Sequence, residues 1–124
     1  MPWDAGAHAG FSTVEPWLPL NPDWPTRNVA AQERDPASML TLHRSLLALR
    51  RTRDALSVGD FALVDAPPGV LAYRRSLGNE HLLVLLNLTA EDIAVEWWGA
   101  PLLSTLHDLA RPGTLRAHEG LVIA

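Results

Sequence analysis

Apolar residues recur with a helical period in the middle of the chain. The spacing i, i+3, i+7 and i+10 places one set on a single helix face. This set is Met39, Leu42, Leu46 and Leu49, and Leu40 and Leu47 widen the face to about half of the circumference. Asp35 and Pro36 come just before and are typical of an N-cap and a first helical residue. The pattern predicts a helix over residues 36–53, packed between two layers.

After residue 57 the pattern changes to short apolar runs separated by turn residues. Pro67-Pro68-Gly69 and Gly78-Asn79 are typical turns, since Pro fixes φ and Gly permits positive φ. Residues 81–88 are almost continuously apolar, as in a central strand, whereas residues 93–97 alternate and predict one wet face. Short strands about 8–12 residues apart predict an antiparallel β-sandwich or barrel. The predicted strands are residues 59–64, 70–75, 81–88, 93–97, 102–106, 114–116 and 120–123.

The first 27 residues show neither period. The first seventeen of them carry three aromatic residues, Trp3, Phe11 and Trp17, among many Gly and Pro residues. Proline removes a backbone donor and fixes φ, so this stretch is not a helix. It is predicted to be a long ordered loop, because a disordered segment would not contain so many aromatic side chains. Residues 28–34 then predict a short helix capped by Asn28.

Two polar residues lie near the middle of the apolar face of the predicted 36–53 helix. A buried charge is costly unless it is paired, so we expect Arg50 to bind a carboxylate or backbone carbonyls. We expect His43 at an interior or boundary position. It is not expected to be a ligand or a base, because no second histidine or carboxylate lies near it at helical spacing.

The N-terminal loop also carries a motif. Its residues in order are Met1, Trp3-Asp4, Ala9-Gly10-Phe11-Ser12, Trp17-Leu18-Pro19 and Asn21-Pro22. This order resembles the segment Met-x-Trp-Asp, Ala-Gly-Phe-Ser/Thr, Trp-Leu-Pro-x-Asn-Pro of the α-glucosidases and oligo-1,6-glucosidases of the α-amylase superfamily (glycoside hydrolase family 13). In that family Arg-Thr-Pro would lie directly before Met1. Weaker similarity continues through the predicted strands. The final strand, after Ala117-His118, matches the usual sequence of the family least well.

The resemblance implies an α+β fragment. Residues 1–57 would be the end of a catalytic (β/α)8 barrel, comprising its last βα loop and last helix. Residues 58–124 would be a C-terminal antiparallel β-sandwich domain. Active sites of such barrels lie on the loops that follow the strands. Trp3, Asp4 and Phe11 are therefore expected to bind substrate in the intact enzyme, with neither a cofactor nor a metal implied.

The resemblance places the catalytic groups outside this chain. Retaining glycoside hydrolysis needs two carboxyl groups about 5–5.5 Å apart. In the family they are an Asp and a Glu on the fourth and fifth barrel strands, and no residue here matches them. Glu91-Asp92 is expected in a surface turn, and nothing fixes the separation of Asp4 and Glu15. His107-Asp108 is expected in a turn at a strand end, and the histidines show no metal-ligand spacing.

Composition excludes several other classes. The net charge of the 124 residues is −4, so nucleic acid is not an expected partner. Without cysteine, neither a disulfide framework nor a thiolate metal site can form. We find no apolar run of about 18 residues and no charged-then-apolar leader, so neither a membrane nor export is expected. A cytoplasmic protein is the expectation.

The resemblance implies the C-terminal segment of an α-glucoside hydrolase acting on maltose- or isomaltose-type oligosaccharides, not catalytic by itself. Its expected partners are the oligosaccharide, through the intact enzyme, and either the missing barrel portion or a second copy bound through the 36–53 helix. The alternative is a stand-alone sugar-binding or accessory β-sandwich module, in which a sugar would stack on Trp17, Trp97 or Trp98. Trp97-Trp98 is better explained by one core and one seam position, because neighbours on a strand face opposite sides. The resemblance leaves open α-1,4 or α-1,6 linkages, and hydrolase, isomerase or transglycosylase activity.

Overall fold

A computed structural model describes residues 1–108 and 112–124 of the chain. It divides into two compact units, Met1–Arg44 and Ser45–Ala124. Helix α1 spans Val29–Arg34 in the first unit, and helix α2 (Met39–Thr52) begins in the first unit and ends in the second. A short helix α3 (Asp54–Val58) leads into the strands. The strands are β1 (Asp60–Val64), β2 (Val70–Leu77), β3 (Glu80–Asn87), β4 (Ile93–Ala94), β5 (Pro101–Ser104), β6 (Thr114–Leu115) and β7 (Gly120–Ile123).

Helix α2 begins later than the sequence predicts. Asp35 is not its N-cap, because the Asp35 Oδ1 accepts a hydrogen bond from the Ala37 N–H (2.8 Å) and closes a turn ahead of the helix. Ser38 caps it instead, since its Oγ accepts from the Thr41 N–H (3.2 Å). The buried Ser38 hydroxyl also donates to the Gln32 carbonyl (2.7 Å), which ties the cap to α1. The first helical residue is therefore Met39 and not Pro36.

The apolar face of α2 is only partly covered. Leu42 is buried, and Leu40 and Leu49 are half-buried. The exposed members of the face are Met39 (72 %), Leu46 (38 %) and Leu47 (41 %). The packing between two layers that the wide apolar face predicts is thus incomplete in this chain.

Two side-chain predictions for α2 were wrong. Arg50 is exposed, and its guanidinium has neither a hydrogen bond nor an ion pair with any residue that the structure describes. His43 is also exposed and not at an interior or boundary position. Both errors have the same cause, because a solvated polar side chain on an uncovered face needs no protein partner.

Within the described residues, the larger sheet has five antiparallel strands in the order β1-β2-β3-β7-β5. Strand β3 lies at its centre and pairs with β2 on one side and β7 on the other. The two-residue turn Gly78-Asn79 joins β2 to β3, and Gly78 has the positive φ of 57° that the turn requires. Strand β7 pairs with both β3 and β5, although its sequence fits the family wording least well. The predictions of antiparallel pairing and of a central strand at 81–88 are confirmed.

A two-stranded sheet of β4 and β6 completes the described strands. The buried core combines both sheets: Ala72, Leu85, Leu121 and Ile123 come from the larger one, Leu115 from β6, and Val95 from the residue after β4. Strand β4 is shorter than the predicted 93–97. It pairs only as Ile93 with Leu115 and Ala94 with Thr114, and the Val95 N–H then donates to the Gly113 carbonyl in the turn before β6 (3.2 Å).

Candidate functional site

The N-terminal loop is anchored on the first turn of α1. The first N–H groups of a helix have no partner within it. Here the Val29 N–H donates to the Pro2 carbonyl (3.1 Å) and the Ala30 N–H donates to the Trp3 carbonyl (2.9 Å). The next donor, the Ala31 N–H, binds the Asn28 Oδ1 (2.9 Å), which confirms Asn28 as the cap. The helix end thus holds the backbone of residues 2 and 3 in place.

The same asparagine fixes the far end of the loop. Asn28 is only 4 % exposed, and its Nδ2 donates to the carbonyls of Trp24 (3.0 Å) and Pro25 (3.3 Å). One side chain therefore caps the helix and binds the returning loop. The prediction of an ordered loop over residues 1–27 is confirmed, because hydrogen bonds hold both ends of the loop at the start of α1.

A left-handed turn lies inside the loop. His8, Ala9 and Gly10 have φ values of 52°, 55° and 71°. Such values favour glycine, so the first two positions store strain that the surrounding contacts must hold. The carbonyl of buried Ala9 accepts hydrogen bonds from the Trp3 N–H (2.8 Å) and the Asp4 N–H (3.4 Å). Strain of this kind is concentrated at functional sites in proteins.

Two aromatic side chains project from this anchored loop. Trp3 is 48 % exposed and Phe11 is 44 % exposed, so both present ring surface to solvent. The Phe11 N–H donates to the His8 carbonyl (3.4 Å), which ties Phe11 to the same turn as Trp3. Asp4 is exposed as well, and its Oδ1 accepts from the Gly6 N–H (2.7 Å). Exposed aromatic faces next to a few placed polar groups are suited to binding a ligand, and they supply no acid–base chemistry of their own.

The other carboxylates considered from the sequence have structural or surface positions. Glu15 lies 3.5 Å from the His8 Nδ1 and is 89 % exposed. Glu91 and Asp92 are exposed in the turn before β4, as predicted, and the Asp92 Oδ1 accepts from the Ala117 N–H (2.9 Å). In residues 1–108 and 112–124, His, Asp and Glu side chains form no group of three that could hold a metal ion.

The remaining tryptophans differ in environment. Trp97 packs against the core, which confirms the predicted core position. Trp98 is 86 % exposed, so the seam position predicted for the second tryptophan was wrong. Trp17 is 90 % exposed in the loop. His107 lies in the predicted turn after β5, with a φ of 62°.

A buried ion-pair network was missed by the sequence reasoning. Glu119 is fully buried directly before β7, and each of its carboxylate oxygens accepts two hydrogen bonds. The Oε1 accepts from the Ser104 Oγ (2.6 Å) and the Arg116 Nη2 (2.7 Å). The Oε2 accepts from the Arg116 N–H (2.9 Å) and Nε (3.0 Å). The spacing of three between Arg116 and Glu119 was the only signal in the sequence, and it is too common to indicate burial.

The network sets the pKa values of its members. Burial alone would raise the pKa of Glu119, but the hydrogen bonds from Arg116 and Ser104 outweigh it and lower that pKa below its ordinary value of 4.5. Hydrogen bonds to Glu119 and Asp108 raise the pKa of Arg116 further above its ordinary value. Both groups therefore stay charged across the physiological pH range.

The lowered pKa of Glu119 predicts loss of stability in acid. A folded-state pKa below the unfolded one gives stability that is complete above pH 4.5 and declines as the pH falls through the folded pKa. We expect the urea midpoint to be flat between pH 7 and 5 and to drop below pH 4.5. Glu119→Gln should have a shallower acid slope, and the surface variant Glu91→Gln should keep the wild-type slope. Equal slopes for all three proteins would show that Glu119 does not control acid unfolding.

Comparison with known proteins finds similarity to one family. The model of the α-amylase catalytic domain matches residues 1–59. A probable α-glucosidase of Rhizobium meliloti is 40 % identical over 91 residues, which is 73 % of this chain and 16 % of that protein. The oligo-1,6-glucosidase of Parageobacillus thermoglucosidasius is 37 % identical over 90 residues, which is 72 % of this chain and 16 % of that protein. The chain is therefore similar to α-glucosidases and oligo-1,6-glucosidases over most of its length, and its first 59 residues match the α-amylase family, as the N-terminal motif predicts.

Solved structures support the same conclusion over nearly the whole chain. The trehalulose synthase MutB of Pseudomonas mesoacidophila MX-45 matches 98 % of this chain with a TM-score of 0.88 and 29 % identity. The match takes in only 24 % of that protein. This chain thus spans a quarter or less of the length of the relatives described here and is similar to a partial segment of them. In the described residues, no helix is both long and apolar enough to cross a membrane.

Proposed function

We propose that this chain is the C-terminal segment of a retaining, exo-acting α-glucoside hydrolase that acts on maltose- or isomaltose-type oligosaccharides. The main observation that supports this proposal concerns the N-terminal loop. Its motif residues Trp3 and Phe11 are exposed to solvent, and the loop backbone is hydrogen-bonded to the first turn of α1. The similarity to α-glucosidases and oligo-1,6-glucosidases supports the substrate class. Trp3 and Phe11 form the substrate rim that this chain contributes, and the third expected site residue, Asp4, lies in the same loop.

The two parts of the chain have different roles in this proposal. Residues 1–57 form the last βα loop and last helix of the catalytic barrel, which the match to the catalytic-domain model over residues 1–59 supports. Residues 58–124 form a C-terminal β-sandwich domain. In support, the core is built from side chains of the five-stranded and the two-stranded sheet together. The sandwich stabilises the barrel end and takes no part in bond cleavage.

Catalysis requires the carboxylates of the rest of the barrel. We expect the purified 124-residue chain to release no glucose from an aryl α-glucoside, maltose, isomaltose or sucrose above the buffer rate. The enzyme encoded by the complete reading frame should release glucose. In that enzyme Trp3→Ala should raise KM roughly tenfold, because a sugar-binding aromatic face is lost. The matched control Trp98→Ala removes an equally large exposed ring outside the loop and should leave KM unchanged.

Two results would contradict this proposal. Hydrolysis by the 124-residue chain alone would show that it carries its own catalytic groups. Formation of a sucrose isomer without glucose release by the complete enzyme would show an isomerase. The sugar-binding alternative is tested by titrating maltose against tryptophan fluorescence of the chain alone. A saturable shift at millimolar sugar that Trp98→Ala or Trp17→Ala abolishes would favour the stand-alone module.

The uncovered face of α2 predicts self-association of the isolated chain. Met39, Leu46 and Leu47 are exposed on this face, and burying such side chains between two molecules is favourable. We propose that the rest of the barrel covers this face in the intact enzyme and that a second copy covers it otherwise. Size exclusion of the isolated chain should show a species larger than a monomer. The double variant Leu46→Gln and Leu47→Gln should shift it toward the monomer.

The control for that experiment is Leu88→Gln, which changes an equally apolar exposed residue (69 %) outside the helix. It should leave the elution volume unchanged. A monomeric wild-type chain at tens of micromolar, or the same shift in the control, would contradict the assignment of α2 as the associating surface.

A further inference from the structure

The left-handed turn at residues 8–10 needs a cause, because two of its three residues are not glycine. Each L-residue in this conformation costs roughly 1–2 kcal/mol relative to ordinary backbone. His8 and Ala9 both adopt it, followed by Gly10. Hydrogen bonds within the turn are weak in part, with the Phe11 N–H 3.4 Å from the His8 carbonyl. Contacts from outside the turn must therefore hold it.

The Asp4 carboxylate is packed directly against this turn. A Cβ atom added to Gly10 would lie 2.5 Å from the Asp4 Oδ2 and 2.6 Å from its Cγ. The Oδ1 of the same carboxylate accepts from the Gly6 N–H at 2.7 Å, on the other limb of the turn. Asp4 thus bridges the two limbs. Position 10 excludes a side chain twice, through its φ and through the space that Asp4 occupies.

The turn that Asp4 braces also fixes the two aromatic residues of the substrate rim, Trp3 and Phe11. The Trp3 N–H donates to the Ala9 carbonyl (2.8 Å), and the Trp3 carbonyl accepts from the Ala30 N–H (2.9 Å). Both backbone polar groups of Trp3 are therefore bound, one to the turn and one to helix α1. Phe11 is bound to the turn through its N–H. Any shift of residues 8–10 moves the backbone of both aromatic residues.

We infer that Asp4 is a positioning residue, whose carboxylate braces the turn at 8–10 and so fixes Trp3 and Phe11, and that it does not contact sugar. This revises its expected role as a substrate ligand. The link to sugar rests on the proposed function, but the brace itself does not. Glu15 lies beside the same turn, 3.5 Å from His8, yet it is 89 % exposed and is no brace.

Amide hydrogen exchange of the 124-residue chain, measured by NMR, tests the brace. In Asp4→Ala the Trp3 N–H should exchange roughly tenfold faster, because the bond from Gly6 and the packing on Gly10 are lost. In Asp4→Asn the side-chain oxygen can still accept from Gly6, so exchange should stay near the wild-type rate. Glu15→Ala is the control and should change nothing. The Leu85 amide in β3 serves as an internal reference for global unfolding.

A Trp3 exchange rate that Asp4→Ala leaves unchanged, or that Glu15→Ala raises equally, would overturn the brace. If Asp4→Ala raises exchange at Leu85 as well, the variant has lost global stability, and a double variant is needed to test the local contact between Asp4 and Gly10. Gly10→Ala should accelerate Trp3 exchange less in the Asp4→Ala background than in wild type, because the clash with the carboxylate is gone. Equal acceleration in both backgrounds would show that Asp4 does not act on Gly10.

Kinetic measurements on the complete enzyme distinguish the two possible roles of Asp4, a brace of the turn or a direct ligand of the sugar. A positioning role predicts that Asp4→Asn keeps KM within about twofold of wild type while Asp4→Ala raises it roughly tenfold, in step with the Trp3 exchange rate. Equal rises in KM for both variants, with Trp3 exchange unchanged in Asp4→Asn, would show direct sugar contact. Faster Trp3 exchange in Asp4→Ala with no change in KM would confirm the brace and contradict the proposed substrate rim.

Discussion

Replacing Glu119 with glutamine is expected to lower the free energy of unfolding by about 3–5 kcal/mol, as breaking a buried ion pair usually does. Glu119 is fully buried, and its two carboxylate oxygens accept four hydrogen bonds, from Ser104 and from three donors of Arg116. A glutamine amide has one oxygen and one NH2 group. In either orientation the NH2 group faces at least one nitrogen donor of Arg116, and the Arg116 charge loses its buried counterion. Urea denaturation at pH 7 measures the effect.

Asp108→Asn is the matched control for this experiment. Asp108 binds the same arginine through two short hydrogen bonds, 2.7 and 2.8 Å, but its side chain is 61 % exposed. An exposed ion pair contributes only about 0–1 kcal/mol, so the control should lose little stability. Equal losses in the two variants would contradict the account, since burial and not the charge on Arg116 is the argued cause. A loss below about 1 kcal/mol in Glu119→Gln would contradict it as well.

Replacing Asn87 with aspartate, which exchanges only the side-chain NH2 group for an oxygen, is expected to cost about 3 kcal/mol or more, because several buried polar groups lose their partners. Asn87 is 3 % exposed at the end of β3. Its Nδ2 donates to the carbonyls of Glu91 (2.7 Å), Arg116 (2.8 Å) and Leu115 (3.3 Å). Its Oδ1 accepts from the Thr89 N–H (2.9 Å) and Oγ1 (2.8 Å). A carboxylate oxygen would face the carbonyl oxygens, and each buried polar group left unsatisfied costs roughly 1–3 kcal/mol.

This variant also has a pH signature. Burial and the facing carbonyls raise the pKa of the introduced carboxyl, so the folded state binds the proton more tightly than the unfolded state. The Asn87→Asp substitution should therefore destabilise least in acid and increasingly as the pH rises. Urea midpoints of wild type and Asn87→Asp, compared at pH 4 and pH 7, measure this. Asp92→Asn changes an exposed carboxylate of the same region and should show no such divergence. Parallel curves for wild type and Asn87→Asp would contradict the described hydrogen bonds.

Much of the fold could be predicted because periodicity reports burial directly. The apolar run that became β3, the turn at Gly78-Asn79 and the cap at Asn28 each follow from local physical rules. The start of α2 was placed wrongly because Asp35 and Ser38 are both good caps. Only the tertiary bond from Ser38 to the Gln32 carbonyl decides between them. The Glu119 network could not be predicted, since it joins residues 104, 116 and 119 across strands.

Some features of the candidate site could likewise be predicted from the sequence, and others could not. Trp3 and Phe11 could be named because the motif places exposed aromatic residues in a loop. Neither the strain at His8 and Ala9 nor the packing of Asp4 on Gly10 has a signal in the residue types, since left-handed φ values are uncommon at residues other than glycine. Arg50 was misjudged because the sequence shows that the face of α2 is apolar without showing whether this chain covers it.

The central claim is that this chain is part of a larger hydrolase, and the reading frame upstream of the Met1 codon tests it most directly. The account predicts a frame that stays open for at least about 250 codons, the size of a (β/α)8 barrel. It should encode Arg-Thr-Pro directly before Met1 and the catalytic Asp and Glu further upstream. A stop codon close upstream of Met1, behind its own ribosome-binding site, would show that the chain is made alone. That result would contradict the hydrolase account for this protein.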